Sequence, residues 1–249
     1  GAGNTAVGRR ALAANTTADN NVAVGIDAGL SVTTGAQNTF IGAAAGDAVT
    51  TGGQNTALGN DALGVLTVGS DNVAIGKNAL EGDTKGSKTV AIGRSALGTQ
   101  NFTTATDAYN TAVGYNAGLS VSTGVENTVI GGLTGDALTT GSYNVFVGKG
   151  AGSAATTSDD NTAVGKDALL TCTTGNSNTV LGKRAGKLLT TGSQNTFIGK
   201  EAGNANTTAG TNVAVGYQAM TDNTTGANNT AVGYLALGNN TTAAGNSAV

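Results

Sequence analysis

Few residues in this chain have the type and spacing for chemistry. Gly82–Thr89 reads GDTKGSKT, close to the phosphate-binding loop G-x-x-x-x-G-K-[ST], but Ser87 stands where the second glycine belongs. That loop works between a strand and a helix, where backbone N–H groups and a helix N-terminus meet the phosphates. Here Gly86 and Thr89 occupy turn and first positions of a repeat described below, so a structural turn is the expectation. Asp47 and Asp136 lack the G-G-x-G-x-D frame of calcium-binding repeats. Asp159-Asp160 has no second carboxylate in register for glycoside hydrolysis. The chain has no histidine and one cysteine, Cys172, so neither a Ser-His-Asp arrangement nor a zinc site of ordinary spacing can be built. No catalytic residue, metal ligand or cofactor is assigned, and the chain is not expected to be an enzyme.

One set of polar residues does recur at a fixed spacing. Arg9, Lys77, Arg94, Lys149, Lys166, Lys183 and Lys200 each follow the glycine of N-T-A-V-G or a close variant such as N-V-A-I-G or N-T-F-I-G, as do Tyr115, Tyr217 and Tyr234. Aligned on one edge, they would form a basic and aromatic ridge able to touch sugar rings and anionic surface groups, making host-surface glycans a candidate partner. The competing reading is a solvated corner, in which Asp27, Asp61, Asp167 and Glu201 dilute the charge.

What would align them is the repeat. Units begin at Asn4, Asn21, Asn38, Asn55, Asn72, Thr89, Asn110, Asn127, Asn144, Asn161, Asn178, Asn195, Asn212, Asn229 and Asn246. Every interval is 17 residues except Thr89 to Asn110, which is 21. Numbering each unit from this residue, position 4 is Val, Ile or Leu, position 5 is Gly, position 8 is almost always Ala, and positions 13–15 usually read T-T-G.

This period is short for helical repeats, and the β-branched residues with fixed Gly and Asn disfavour helix. The pattern predicts an all-β fold: a parallel β-solenoid, or β-roll, of about fourteen coils, forming one repeat domain over residues 1–249. Coils would stack at about 4.8 Å. Asn at position 1 would form a ladder of side-chain amides, Gly at position 5 a corner, and the extra residues within 98–110 an outward bulge.

Positions 2 and 4 share one face of a strand and position 3 points the other way. With aliphatic residues at position 4 taken as the core, position 3 faces outward. Yet position 3 is also apolar, and a strand apolar on both faces is expected to be covered on both. Ala6, Phe40, Ala112, Val129, Phe146, Val180 and Phe197 are therefore the expected interface of a homo-oligomer, with three chains around an axis.

Composition narrows the partners. Net charge is −3, with a pI near 4.8, which disfavours nucleic-acid binding. No apolar run reaches the length of a membrane span, so insertion is not expected.

The stretches NTAVGYNAGL, NVAVGYQAMTDNTTGANNTAVGY and NNTAVGYLALGNNTTAAGN resemble the repeats of phage tail-fibre proteins. They also resemble related surface proteins that carry such repeats upstream of a chaperone of the endosialidase type. DNVAIGKNAL and KTVAIGRSAL are similar to the shorter head repeats of trimeric autotransporter adhesins. The resemblance implies a trimeric fibre shaft, in a virion or at a cell surface, presenting a receptor-binding region to a host; a bacterial adhesin or extracellular filament is the alternative. An ice-binding solenoid is a remoter reading, because the recurrent Thr pairs are adjacent and a flat Thr-x-Thr array is missing. A polysaccharide-cleaving tailspike lacks its carboxylate pair.

Overall fold

A computed structural model describes residues 1–249. The chain contains no helix and consists of parallel strands stacked as a β-solenoid of about 14 coils, as the repeat predicts. It divides into two compact units, Gly1–Glu126 and Asn127–Val249.

In the first unit, three-residue strands at Thr5–Val7, Val22–Val24, Thr39–Ile41, Thr56–Leu58, Val73–Ile75, Val90–Ile92 and Thr111–Val113 lie side by side. Equivalent repeat positions pair without slippage, as in Thr5↔Val22 and Val73↔Val90. In the second unit the same strand recurs from Thr128–Ile130 to Thr230–Val232 and ends with Ser247–Ala248, again in register.

The 21-residue interval does not break this stacking. Val90 pairs with Thr111, and a Cβ on Gly93 would lie 2.6 Å from the carbonyl carbon of Gly114. The extra length is taken up by an exposed segment at residues 103–105, followed by Thr106–Asp107, which pairs with Gly86–Ser87.

Gly at position 5 allows the corner for two reasons. Its φ is large and positive, 134° at Gly165, and a Cβ there would lie 2.7 Å from the carbonyl carbon of Gly182 in the next coil. An L side chain would meet backbone in both respects. Positions 7, 9 and 17 also take left-handed φ near 50–70°, as at Asp167, Leu169 and Ser177.

The interior of each coil is lined by positions 1, 3, 8, 9, 12 and 15. Position 1 carries the expected ladder. In the second unit the side-chain Nδ2 of Asn178 donates to Asn161 Oδ1 (3.0 Å) and to the carbonyl of Gly192 (3.0 Å), while its backbone N–H donates to the same Oδ1 (2.9 Å). In the first unit Asn38 does the same with Asn21 and Gly52. A buried Asn is costly unless bonded, and here each coil supplies the acceptor the next one needs. Thr at position 13 adds a second ladder, its hydroxyl donating to the Thr carbonyl one coil on, as from Thr190 to Thr207 at 3.0 Å.

Position 3 corrects the orientation expected from sequence. Phe40, Ala112, Val129, Phe146, Val180 and Phe197 are fully buried inside the coil, so they cannot form an interface between chains. Ala6 belongs to the same inward column and is exposed because it lies in the first coil, paired on one side by Ala23. Position 4 is the outward one. Val7, Ile41, Leu58, Ile130, Leu181, Val232 and Val249 are exposed, and the remaining members of that column are half-buried.

The physical reason lies at position 9. Where position 3 is Phe or Val, position 9 of the same coil is Gly: Gly46 with Phe40, Gly135 with Val129, Gly152 with Phe146, Gly186 with Val180 and Gly203 with Phe197. Where position 9 is Leu or Met, as at Leu63, Leu80, Leu169 and Met220, position 3 is Ala. The narrow coil holds at most one large side chain from these two positions, as close packing demands; Ala23 with Gly29 and Ala112 with Gly118 are small at both.

Candidate functional site: corner ridge and aliphatic face

The ridge expected at position 6 exists within each unit, because the residues after the Gly corner follow strands that are in register. Its chemistry differs between the two.

In the first unit Arg9 lies beside Arg10, whose guanidinium donates twice to Asp27, Nε to Oδ1 at 2.8 Å and Nη2 to Oδ2 at 2.7 Å. These bonds hold the Asp27 carboxyl below its ordinary range, with the charges of Arg10 and Arg9 adding to the effect. Ile26, Ala43 and Asn60 then interrupt the ridge before Lys77, Arg94 and Tyr115 occupy consecutive coils. The Arg94 guanidinium stands 6.0 Å from the centre of the Tyr115 ring.

In the second unit Lys149, Lys166, Lys183, Lys200, Tyr217 and Tyr234 follow one another coil by coil without a gap. Lys200 Nζ lies 5.0 Å from the centre of the Tyr217 ring, and Tyr217 stacks on Tyr234 with centres 5.6 Å apart and planes 8° from parallel. Tyr217 is thus engaged by a cation and by a neighbouring ring, so its faces stabilise the ridge and are not open platforms for a sugar. Lys166 pairs with Asp167 at 3.6 Å and Lys200 with Glu201 at 3.9 Å. The amide of Gln218 donates to Glu201 at 2.9 Å; that bond, with Lys200, Arg184 and Lys183, keeps Glu201 below the usual carboxylate range.

Sequence reasoning missed a second aromatic contact in the first unit. Lys88 donates to Asp107 at 2.6 Å and to the Tyr109 hydroxyl at 3.1 Å, and lies 5.1 Å from the centre of the Tyr109 ring. Both bonds raise the Lys88 pKa, the one to Asp107 more. The group fastens the lengthened coil to its neighbour. Its only signal in the sequence is that Lys88 and Tyr109 each immediately precede the first residue of a unit, Thr89 and Asn110.

The residues of GDTKGSKT form no phosphate cradle. Asp83 is buried, and its Oδ1 accepts the backbone N–H groups of Gly86 (2.9 Å) and Lys85 (3.3 Å), donors that a phosphate-binding loop would turn toward its ligand, and that of Phe102 in the next coil (3.2 Å). Cys172 is buried at position 12 among side chains of the coil interior.

The other surface feature is the outward aliphatic column at position 4, bordered by Thr or Val at position 2. It runs along the strand edge-to-edge direction of each unit as a continuous apolar strip.

Compared with known proteins, the chain matches no family model, no curated protein and no solved structure.

Proposed function

We propose that the protein is a structural and adhesive fibre shaft, assembled from three copies and displayed on a virion or a cell exterior. The observation that carries this reading is the outward aliphatic column. Leu58 and Leu181 are 43% and 46% exposed on strands whose interior is already filled by position 3. Fully burying such a side chain is worth about 1.5–3 kcal/mol. A partly exposed one gives less, but the column repeats the gain at every coil. The homo-oligomer expected from the doubly apolar strand is thus retained, with the contact moved from position 3 to positions 4 and 2.

The resemblance to tail-fibre repeats supports the same role. A shaft of this kind needs no reaction centre: it holds weak contacts at fixed spacing, so that several copies act together.

Light scattering coupled to size exclusion tests the assembly. A particle of three times the 23.9 kDa chain mass, reduced to single chains by Leu58→Glu and by Leu181→Glu, supports the reading. Position 4 points to solvent, so both variants retain the wild-type β-sheet circular dichroism. A monomeric wild type, or variants that assemble as the wild type does, overturns it.

A further inference from the structure

The four lysines in consecutive coils of the second unit are not required by the fold. Position 6 is equally served by Ile26, Ala43, Asn60 and Gly132 in other coils. Placing Lys149, Lys166, Lys183 and Lys200 in the same corner of coils about 4.8 Å apart works against the fold, because like charges on adjacent coils repel. Lys166 and Lys200 recover part of this through Asp167, Glu201 and the Tyr217 ring, but Lys149 and Lys183 do not, and a local choice that opposes stability points to a functional surface.

The charge there is also unbalanced. The second unit has six basic and six acidic residues, so it is neutral as a whole. Five of the six basic groups, the four lysines and Arg184, sit at positions 6 and 7 of this corner, against the two carboxylates Asp167 and Glu201. Lys149 and Lys183 form no ion pair. Beside Lys183, Arg184 adds a further cation at position 7.

We propose that this corner is a binding track for a linear acidic polysaccharide. The partner must carry negative charge at regular intervals, since the cations recur once per coil. Along a duplex axis the phosphates of one strand recur every 3.4 Å or so, closer than the coils. Asp167 and Glu201 interleave with the lysines. They accept hydrogen bonds from the hydroxyls that lie between the carboxylates of a uronate glycan, donors that a DNA backbone does not carry. The inference is independent of the number of chains in the particle, because every contact lies within one copy.

The test uses the full chain with polygalacturonate as probe, and with neutral dextran, single-stranded DNA and phosphatidylserine vesicles as comparisons, by calorimetry at low and moderate salt. Polygalacturonate is expected to bind, with affinity that falls as salt rises, while dextran does not. Lys166→Gln/Lys183→Gln is expected to weaken binding about tenfold and flatten the salt dependence, and the charge-matched Lys85→Gln/Lys88→Gln to leave affinity within about twofold. Unchanged melting of Lys166→Gln/Lys183→Gln confirms that the loss is one of binding. Absence of polygalacturonate binding at low salt, equal loss in both double variants, or tighter binding of DNA or vesicles than of polygalacturonate overturns the proposal.

Discussion

The ring of Phe197 fills the space that a side chain on Gly203 would need: a Cβ there would lie 2.7 Å from the ring carbon Cε2. Gly186, in the preceding coil, is held to the same condition, with a Cβ 3.1 Å from Cδ2. One large residue is therefore shared between two positions of a coil, and the coil interior is a column of such shared places.

This arrangement predicts strong coupling. Phe197→Ala should cost about 3–5 kcal/mol through the cavity it leaves. Gly203→Leu should also destabilise, by overpacking against the ring. Together they recreate the pairing of Ala163 with Leu169, so the double variant should recover to within about 1–2 kcal/mol of wild type, the residue being the left-handed backbone that leucine adopts there less readily than glycine. Gly203 has φ 58° and Leu169 φ 52°, so the backbone already accepts leucine at this position of the repeat. Urea unfolding of the three variants measures the coupling. Additive losses would show that positions 3 and 9 do not share one space.

The same pair shows what could and could not be read from the sequence. The 17-residue spacing of Asn and Gly fixes coil, register and ladder, since each needs only like residues stacked on like, and Asn178 over Asn161 shows the result. The facing of the strand does not follow from size: Val, Ile and Leu at position 4 outweigh Ala at position 3, yet position 3 is the inward one. A coil this narrow reverses the rule, putting Ala inside wherever Leu or Met at position 9 fills the space. The signal was present as a correlation, with Gly46, Gly152 and Gly203 accompanying Phe40, Phe146 and Phe197. A second signal lay in positions 7, 9 and 17, whose left-handed φ explains why they avoid β-branched residues, Thr211 being the exception. At the ridge, the row of lysines was legible from spacing alone. The engagement of Tyr217 by Lys200 and Tyr234 was not, because it depends on side-chain direction within the corner.

Cys172 should be unreactive in the folded protein and should make stability fall in alkali. Burial pushes its thiol up to about 11, a hydrogen bond from the Gly175 backbone opposing this in part. An unfolded chain ionises its cysteine near pH 8.5. Between those values the unfolded state releases a proton that the folded state keeps, so the thiol's contribution is complete below about pH 8.5 and is lost as pH rises toward 11, by an order of about 2–3 kcal/mol. Comparing the unfolding free energy of wild type with Cys172→Ala at pH 8 and pH 10.5 isolates this loss. Native protein should react with a disulfide reagent at pH 8 far more slowly than protein in urea. Equal rates in the two conditions would contradict the burial of the thiol.

The last prediction concerns the one place in the first unit where the ladder changes residue. Thr89 replaces asparagine, and its short side chain cannot hand an amide to the next coil. Gln100 crosses the interior instead. Its Nε2 donates to Asp83 Oδ2 (2.7 Å) and to Thr89 Oγ1 (3.2 Å), and its Oε1 accepts from Asn110 Nδ2 (2.9 Å). The same amide thus repairs the ladder and supplies the buried Asp83 with the donor that its three backbone bonds leave over. Gln100→Leu keeps the bulk and removes the amide, so Asp83 loses a charge-assisted bond and Asn110 loses an acceptor. Losses of this kind cost about 1–3 kcal/mol each. We expect Gln100→Leu to lower the unfolding midpoint by an amount corresponding to about 2–4 kcal/mol. The same exchange at the exposed Gln194 should stay within about 0.5 kcal/mol. Hydrogen exchange locates the effect: the amides of Gly86 and Phe102, which donate to Asp83, should lose protection in Gln100→Leu while the amide of Asn38, bonded in the unaltered part of the ladder, keeps its own. If Gln100→Leu unfolds at the wild-type midpoint with those amides still protected, the ladder is continuous through Thr89 without the glutamine.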